Sequence, residues 1–178
     1  ILASRMIDRP IRPLFPKDLR NDVVVNNLVL SVDQDHSPEI LAMVGTSIAI
    51  TISDIPWDGP IGGTLIGLLD GKTVFNPTEA QRADSAMHIT LAGTRKKIAM
   101  IEAGANEVPD AVILDAIMQG HGLIRELCDF IDGIRADIGK PKFAYESMEV
   151  PADLFDQVKV FGWDKMRAAV LSDDKSVR

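Results

Sequence analysis

"TLIGLLDGKTVFN", residues 64–76, is the stretch on which the fold turns. An apolar run leads into Asp70-Gly71, and Lys-Thr-Val-Phe leads out of it. Asp-Gly between two such runs is a strong sign of a two-residue hairpin loop. Just before it, "IPWDGPIGG" (55–63) is punctuated by Gly and Pro. Downstream, "AMHITLAGTRKKIAMIEAGA" (86–105) reads as a second hairpin, with its turn around Gly93. From Pro109 to about Asp137 the pattern becomes helical, with Ile113, Ile117, Leu123, Leu127 and Ile131 at helical spacing. Gly139-Lys140-Pro141 closes that helix, because proline cannot continue one.

Upstream of the hairpins, "DVVVNNLVLSV" (22–32) is rich in Val and Leu and predicts a buried strand. A helix is expected from 38 to about 53, with Ser37 as N-cap, Pro38 at the first helical position and Glu39 in the first turn. Ile40, Leu41, Val44, Ile48 and Thr51 fall near one face, and Ala42, Gly45 and Ala49 permit close packing. Residues 139–152 have the look of a linker, and "LFDQVKVFGWDKMRAAVLSD" (154–173) begins another helical element. The expected class is α+β: a β-rich core with a closing helix over 1–138, a linker over 139–152, and the start of an all-α unit over 153–178.

The chain has 178 residues, 46% hydrophobic and 25% charged, an ordinary globular balance. Its net charge of −7 is unevenly spread. Residues 1–20 set five basic side chains against Asp8 and Asp18, a local +3, so the other 158 residues carry −10. Such a protein is no general polyanion binder, yet it can hold a polyanion at the basic segment. Cys128 is the single cysteine, which excludes a disulfide framework and favours a reducing compartment. No run approaches the roughly 18 apolar residues of a membrane span, and no signal peptide is visible, so a cytoplasmic location is expected. The opening at Ile1 and the charged close suggest a segment of a longer polypeptide.

Few residues offer chemistry. His36, His88 and His121 lie far apart without ligand spacing, and structural roles are expected for all three. "IGGTLIG" (61–67) lacks the phosphate-loop pattern, and its glycines suit turns and close strand packing. Asp70, Glu79 and Asp84 form no close pair for acid–base or two-metal work. The helix start at 38 is hostile to phosphate, since Pro38 lacks an N–H and Glu39 puts an anion where a ligand would sit.

That leaves "SRMIDRPIRPLFPKDLR" (4–20), in which Arg5, Arg9 and Arg12 are threaded through Pro10, Pro13 and Pro16. Three readings are open. The run is a polyproline ligand, a structural turn with paired arginines, or a track for nucleic-acid phosphates. Met6, Ile7, Ile11, Leu14 and Phe15 look committed to a core, which argues against the first. Guanidinium forks suit phosphate oxygens, which favours the third.

The order of motifs resembles the bacterial polynucleotide phosphorylase family: "SRMIDRPIRPLFP", "SPEILAMVGTSIAITISDIPWDGPIGG", "VFNPT", "LAGT", then a long helix containing "GH". The resemblance covers nearly the whole chain. It implies a partial RNase PH-like βαβα core, the later part of the first of two, followed by the start of an α-helical domain. It also implies an enzyme that degrades single-stranded RNA 3′→5′ with inorganic phosphate, releasing nucleoside diphosphates, and that runs in reverse as a polymerase. Mg²⁺, a homotrimeric ring and degradosome-type protein partners belong to the same expectation. The family's active core has adjacent serines at a helix start, then an Asp and an Asp-x-Lys. Here the matching positions hold Pro38 and Glu39, then Arg82, His88 and Thr90. The resemblance therefore implies a non-catalytic core, with no catalytic or metal residues of its own. It places Arg5, Arg9 and Arg12 as RNA-binding candidates. The rival reading is an RNA-binding ring subunit with no active core in its own chain.

Overall fold

Asp70 and Gly71 both take positive φ, 48° and 73°, and close a hairpin of β1 (Gly62–Leu69) and β2 (Lys72–Phe75). Glycine adopts this backbone without penalty and Asp tolerates it, which is why the pair specifies the turn. The computed structural model describes residues 1–176; the last two residues of the expected 153–178 unit lie outside the described residues. The second hairpin joins β3 (Met87–Gly93) to β4 (Ile98–Ala105), and the four strands form one antiparallel sheet in the order β2-β1-β3-β4. Its register pairs Ile66 with Phe75 and with Ile89, and Leu91 with Ile101. Ladder regularity breaks at Ala92/Gly93, where a Cβ on Gly93 would stand 2.5 Å from the Lys97 carbonyl oxygen. Between the hairpins lies a short helix, α3 (Glu79–Ala83), capped reciprocally by Thr78 and Gln81.

Three helices flank the sheet: α1 (Leu2–Ile11), α2 (Pro38–Ile52) and α4 (Asp110–Ile138). Alternation along the strands divides the core between two faces. Ile66, Leu68, Met87, Ile89 and Leu91 pack against Ala116, Ile124 and Cys128 of α4. On the opposite side, Ala92 and Met100 join Met43 and Ile50 of α2, Ile11 of α1, and Trp57 and Ile61. Helix α4 lies close to the sheet because Gly120 has no side chain. A Cβ there would stand 2.7 Å from Ile66 Cδ1 and 3.0 Å from Leu91 Cδ2.

Helix α2 forms where expected, and Ile40 and Thr51 are buried as expected, but the enclosed face is rotated away from Leu41 toward Met43, Ser47 and Ile50. Met43, Ser47 and Ile50 are enclosed with Ile40, Thr46 and Thr51, whereas Leu41 is 67% exposed. Its residues are apolar almost all round, so periodicity alone could not orient it. Polar contacts do: Ser47 Oγ accepts the Ile61 N–H at 2.9 Å. Ser37 occupies the N-cap position without capping, since its hydroxyl donates to the Glu39 carboxylate instead.

The expected strand over 22–32 does not form. Val24, Leu28 and Leu30 are 78%, 82% and 88% exposed, and no described strand pairs with this run. A strand exists only with a ladder neighbour, and apolar composition cannot supply one. Asn27 instead exchanges side-chain hydrogen bonds with Thr46 at 3.1 and 3.2 Å.

The chain divides into two units, residues 1–16 with 21–145, and residues 17–20 with 146–178. In the first unit the stretch after α4 is tied down. Lys140 and Phe143 donate their backbone N–H groups to the Ile52 and Asp54 carbonyls at 2.9 and 2.8 Å. Lys142 Nζ donates to the carbonyls of Ile50, Thr51 and Ser53 at 3.0, 3.0 and 2.6 Å. A lysine thus satisfies the orphan acceptors at the end of α2 and complements that helix's dipole. The second unit contains α5 (Ala152–Val170), none of whose residues is buried. There Lys165 lies 3.9 Å from the Phe161 ring centroid and Lys159 5.7 Å from that of Trp163.

Two predictions follow from this packing. Gly120→Val should cost about 1–3 kcal/mol by overpacking, while Gly122→Ala, where a Cβ meets nothing within 4 Å, should gain up to about 1 kcal/mol in helix propensity. Urea unfolding of the two variants side by side checks both signs. Lys142→Met should lower stability by about 1–2 kcal/mol in the same assay, since three carbonyls lose a charged donor.

Candidate nucleic-acid interface

Arg5, Arg9 and Arg12 stand at intervals of four and three, which on a helix is one face. The segment that carries them is helical: α1 runs through Arg9 and Pro10, and a 3₁₀ turn over Arg12–Leu14 continues it. This excludes the polyproline conformation over these residues. Pro10 sits in the last turn of α1, where its missing N–H leaves the Met6 carbonyl without its usual partner. Pro13 takes an early position of the 3₁₀ turn, where prolines are tolerated.

The opposite face of this segment is anchored. Pro10 and Ile11 are buried, and Met6, Ile7, Leu14 and Phe15 pack against the core beneath. Trp57 donates its indole N–H to the Ile11 carbonyl at 3.0 Å, and the Asp58 N–H reaches the Leu14 carbonyl at 2.9 Å. The rings of Phe15 and Trp57 lie 6.2 Å apart at 40°. The basic face is therefore held by apolar packing and two hydrogen bonds from the 55–58 loop.

Between this segment and β4 opens a cavity of about 450 Å³ lined by Asp8, Arg9, Arg12, Pro13, Ala99, Met100 and Ile101. Arg12 engages Asp8 side-on, with Nε 3.0 and 3.1 Å from the two carboxylate oxygens and Nη2 2.8 Å from Oδ2. The hydrogen bond and the charge of Asp8 raise the Arg12 pKa above its ordinary value. Arg5 and Arg9 are exposed and make no ion pair among the described residues. The structure thus brings Arg9 and Arg12 together at the cavity, while Arg5, one turn earlier on α1, does not line it. What sequence reasoning did not find is the helix itself and the β4 wall of the cavity, which lies more than 80 residues away in sequence.

A second, smaller cavity, about 110 Å³, lies at the start of α2, among Asp35, His36, Ser37, Ile40, Leu41, Leu65, Asn76 and Pro77. Here the Glu39 carboxyl is held below its ordinary 4.5, first by the Ser37 hydroxyl, then by its own backbone N–H, with Arg82 adding a favourable charge. An anion bound at this helix start would meet that carboxylate. Among the described residues, no three His, Cys, Asp or Glu side chains gather where a metal ion could be held. Arg82, His88 and Thr90 do not fit Mg²⁺, having no carboxylate to offer. His121 is buried in α4 with Nε2 3.0 Å from the Thr94 carbonyl oxygen, a structural hydrogen bond. Burial pushes the Cys128 thiol up to about 11, which leaves it protonated and unreactive near neutral pH.

With this geometry in view, comparison with known proteins is direct. Residues 1–56 match domain 1 of the 3′ exoribonuclease family and residues 59–122 match its domain 2. The chain belongs to that family, and its four-stranded sheet with flanking helices is an RNase PH-like α+β fold. Rice Rrp46 shares the fold at a TM-score of 0.51 and 17% identity, over 58% of this chain and 50% of that one. Within the family the chain is similar to polyribonucleotide nucleotidyltransferases. It is 65% identical to that of Ruminiclostridium cellulolyticum, 55% to that of Lachnoclostridium phytofermentans and 52% to that of Clostridioides difficile, each over the whole of this chain. It spans 25%, 26% and 25% of the length of those three relatives.

Glu39 makes the acid limb of stability testable. A carboxyl with a depressed folded-state pKa stabilises fully above its unfolded value, here 4.5, and that contribution is lost as pH falls through the folded value. Between about pH 6 and about pH 3.5, Glu39→Gln should therefore lose less stability than the parent. Urea midpoints at the two pH values measure the difference.

Proposed function

We propose that the chain is the non-catalytic first RNase PH-like core of a polyribonucleotide nucleotidyltransferase, with the beginning of the helical domain that follows it. The whole enzyme degrades single-stranded RNA from its 3′ end with inorganic phosphate and releases nucleoside diphosphates. In this reading the present segment guides RNA and helps to build a homotrimeric ring in the cytoplasm. Mg²⁺ and the reacting phosphate are bound by another core, and degradosome-type proteins are partners of the assembled enzyme.

The observation that carries this reading is the pair Arg9 and Arg12 at an open cavity on an anchored helical segment, with Arg5 one turn earlier at helical spacing. A degradative enzyme needs contacts that ignore sequence, and arginines that hold phosphates supply them. Pro38 and Glu39 where the family's active core has its phosphate-binding serines, and Arg82, His88 and Thr90 where it has an Asp and an Asp-x-Lys, support assigning chemistry elsewhere. Among the described residues no helix is long and apolar enough to cross a membrane.

The test is phosphate-dependent release of nucleoside diphosphates from single-stranded RNA by the full-length polypeptide and by its Arg9→Ala, Arg12→Ala variant. The variant should bind RNA about tenfold more weakly or worse, with a shallower salt dependence, while phosphorolysis of a very short substrate survives. Equal RNA affinity in variant and parent would make the arginines architectural. A full-length parent without phosphorolysis would leave a binding subunit in place of an enzyme.

A further inference from the structure

Within the cavity between α1 and β4, the charged groups are Asp8, Arg9 and Arg12. Asp8 is thus a carboxylate placed inside a surface read above as a phosphate track. It does not neutralise Arg12 from a distance. It grips the Nε–Nη2 edge, with three contacts between 2.8 and 3.1 Å. That edge is one on which a guanidinium holds two phosphate oxygens at once.

The pair is also loosely held. The Arg12 and Asp8 side chains are 77% and 45% exposed, so water screens their attraction and either can be released at small cost. Arg9, one helical turn before Pro13 and on the same cavity wall, has no such anion among the described residues. The two arginines that border the cavity are therefore different in kind, one open and one occupied.

We propose that Asp8 is an internal stand-in for an RNA phosphate: it holds the phosphate-binding edge of Arg12 when no RNA is present and gives it up to a phosphodiester when RNA arrives. The inference rests on the reading of this face as an RNA track. Exchange differs from simple capture. Arg12 passes between two anions of similar geometry, so each phosphate gained costs the carboxylate contact, and the grip per nucleotide stays weak. A strand that must advance one nucleotide per cycle needs contacts that break as readily as they form. Arg9 supplies steady attraction, and the Asp8–Arg12 pair supplies a contact that can be traded.

The experiment measures binding of an oligoadenylate of about a dozen nucleotides to the full-length protein, from about 50 to about 300 mM KCl. Five forms are compared with the parent: Asp8→Asn, Asp8→Ala, Arg9→Gln with Arg12→Gln, Arg12→Gln alone, and Asp8→Asn in that Arg12→Gln background. Removing the carboxylate in either Asp8 variant should tighten binding about 3–10-fold at low salt and steepen the salt dependence by close to one phosphate contact, about 0.7 in the logarithmic slope. The gain should vanish when Arg12 is already Gln. Weaker or unchanged binding in both Asp8 variants overturns the proposal, as does a gain that persists without Arg12, which would be a general charge effect. If the Arg9, Arg12 double variant binds RNA as the parent does, the track reading falls and this inference with it. If that variant binds weakly and the Asp8 variants bind no tighter, the track stands and the exchange alone is refuted.

Discussion

Trp57 donates its indole N–H to the Ile11 carbonyl, at the point where α1 gives way to the Arg12–Leu14 turn. A proline one residue earlier has already disturbed the helix ladder, and a second proline follows inside the turn. Left alone, such a segment has few internal hydrogen bonds to hold its direction. The indole supplies a donor, the Phe15 ring packs beside it, and the Asp58 N–H donates to the Leu14 carbonyl. Trp57 itself is fixed among Met43, Ile50, Ile61 and Met100. The direction of the arginine face is thus set by the core of the sheet, through one loop. Even Gly59 bears on this, because a side chain there would run into the Trp57 ring at about 2 Å.

Turn chemistry made much of the architecture legible. Asp70-Gly71 names its own conformation, because few dipeptides accept two positive φ values in succession. Helix α4 was equally plain, since its apolar positions recur over many turns and a Gly-Lys-Pro stop follows. The 22–32 run was misread for a physical reason. Val and Leu report a preference for extended backbone, but only a neighbouring strand turns that preference into burial. The face of α2 was only partly read, for a different reason: Ile40 and Thr51 are buried, but Leu41 is not. An almost uniformly apolar helix takes its orientation from polar details such as Ser47 under the Ile61 N–H, and those are tertiary facts.

The site was legible in composition and illegible in shape. Three arginines among prolines could be picked out as a local excess of charge on an acidic chain. Their intervals of four and three fit a helical face, but the sequence reading did not use that spacing and drew no helix there. Prolines in the last turn and early in a 3₁₀ turn are compatible with helix, and here they are buried or at the bend. The differences at positions 38, 39, 82, 88 and 90 could be read only through the family resemblance, because nothing in Pro38, Glu39, Arg82, His88 or Thr90 taken alone marks a missing group. The far wall of the cavity could not, because β4 reaches α1 only through the folded sheet.

The lysine at the end of α2 has a bearing on synthesis. Lys142 reaches back across 92 residues to the Ile50 carbonyl. A ribosome adding about 5–20 residues per second needs roughly 5–20 s to cover that span. During this interval the last turn of α2 exists on the nascent chain with its carbonyls facing water. The end of α2 is thus completed only by a residue beyond the long helix. Speed of translation through α4 sets how long an apolar helix waits for its final hydrogen bonds.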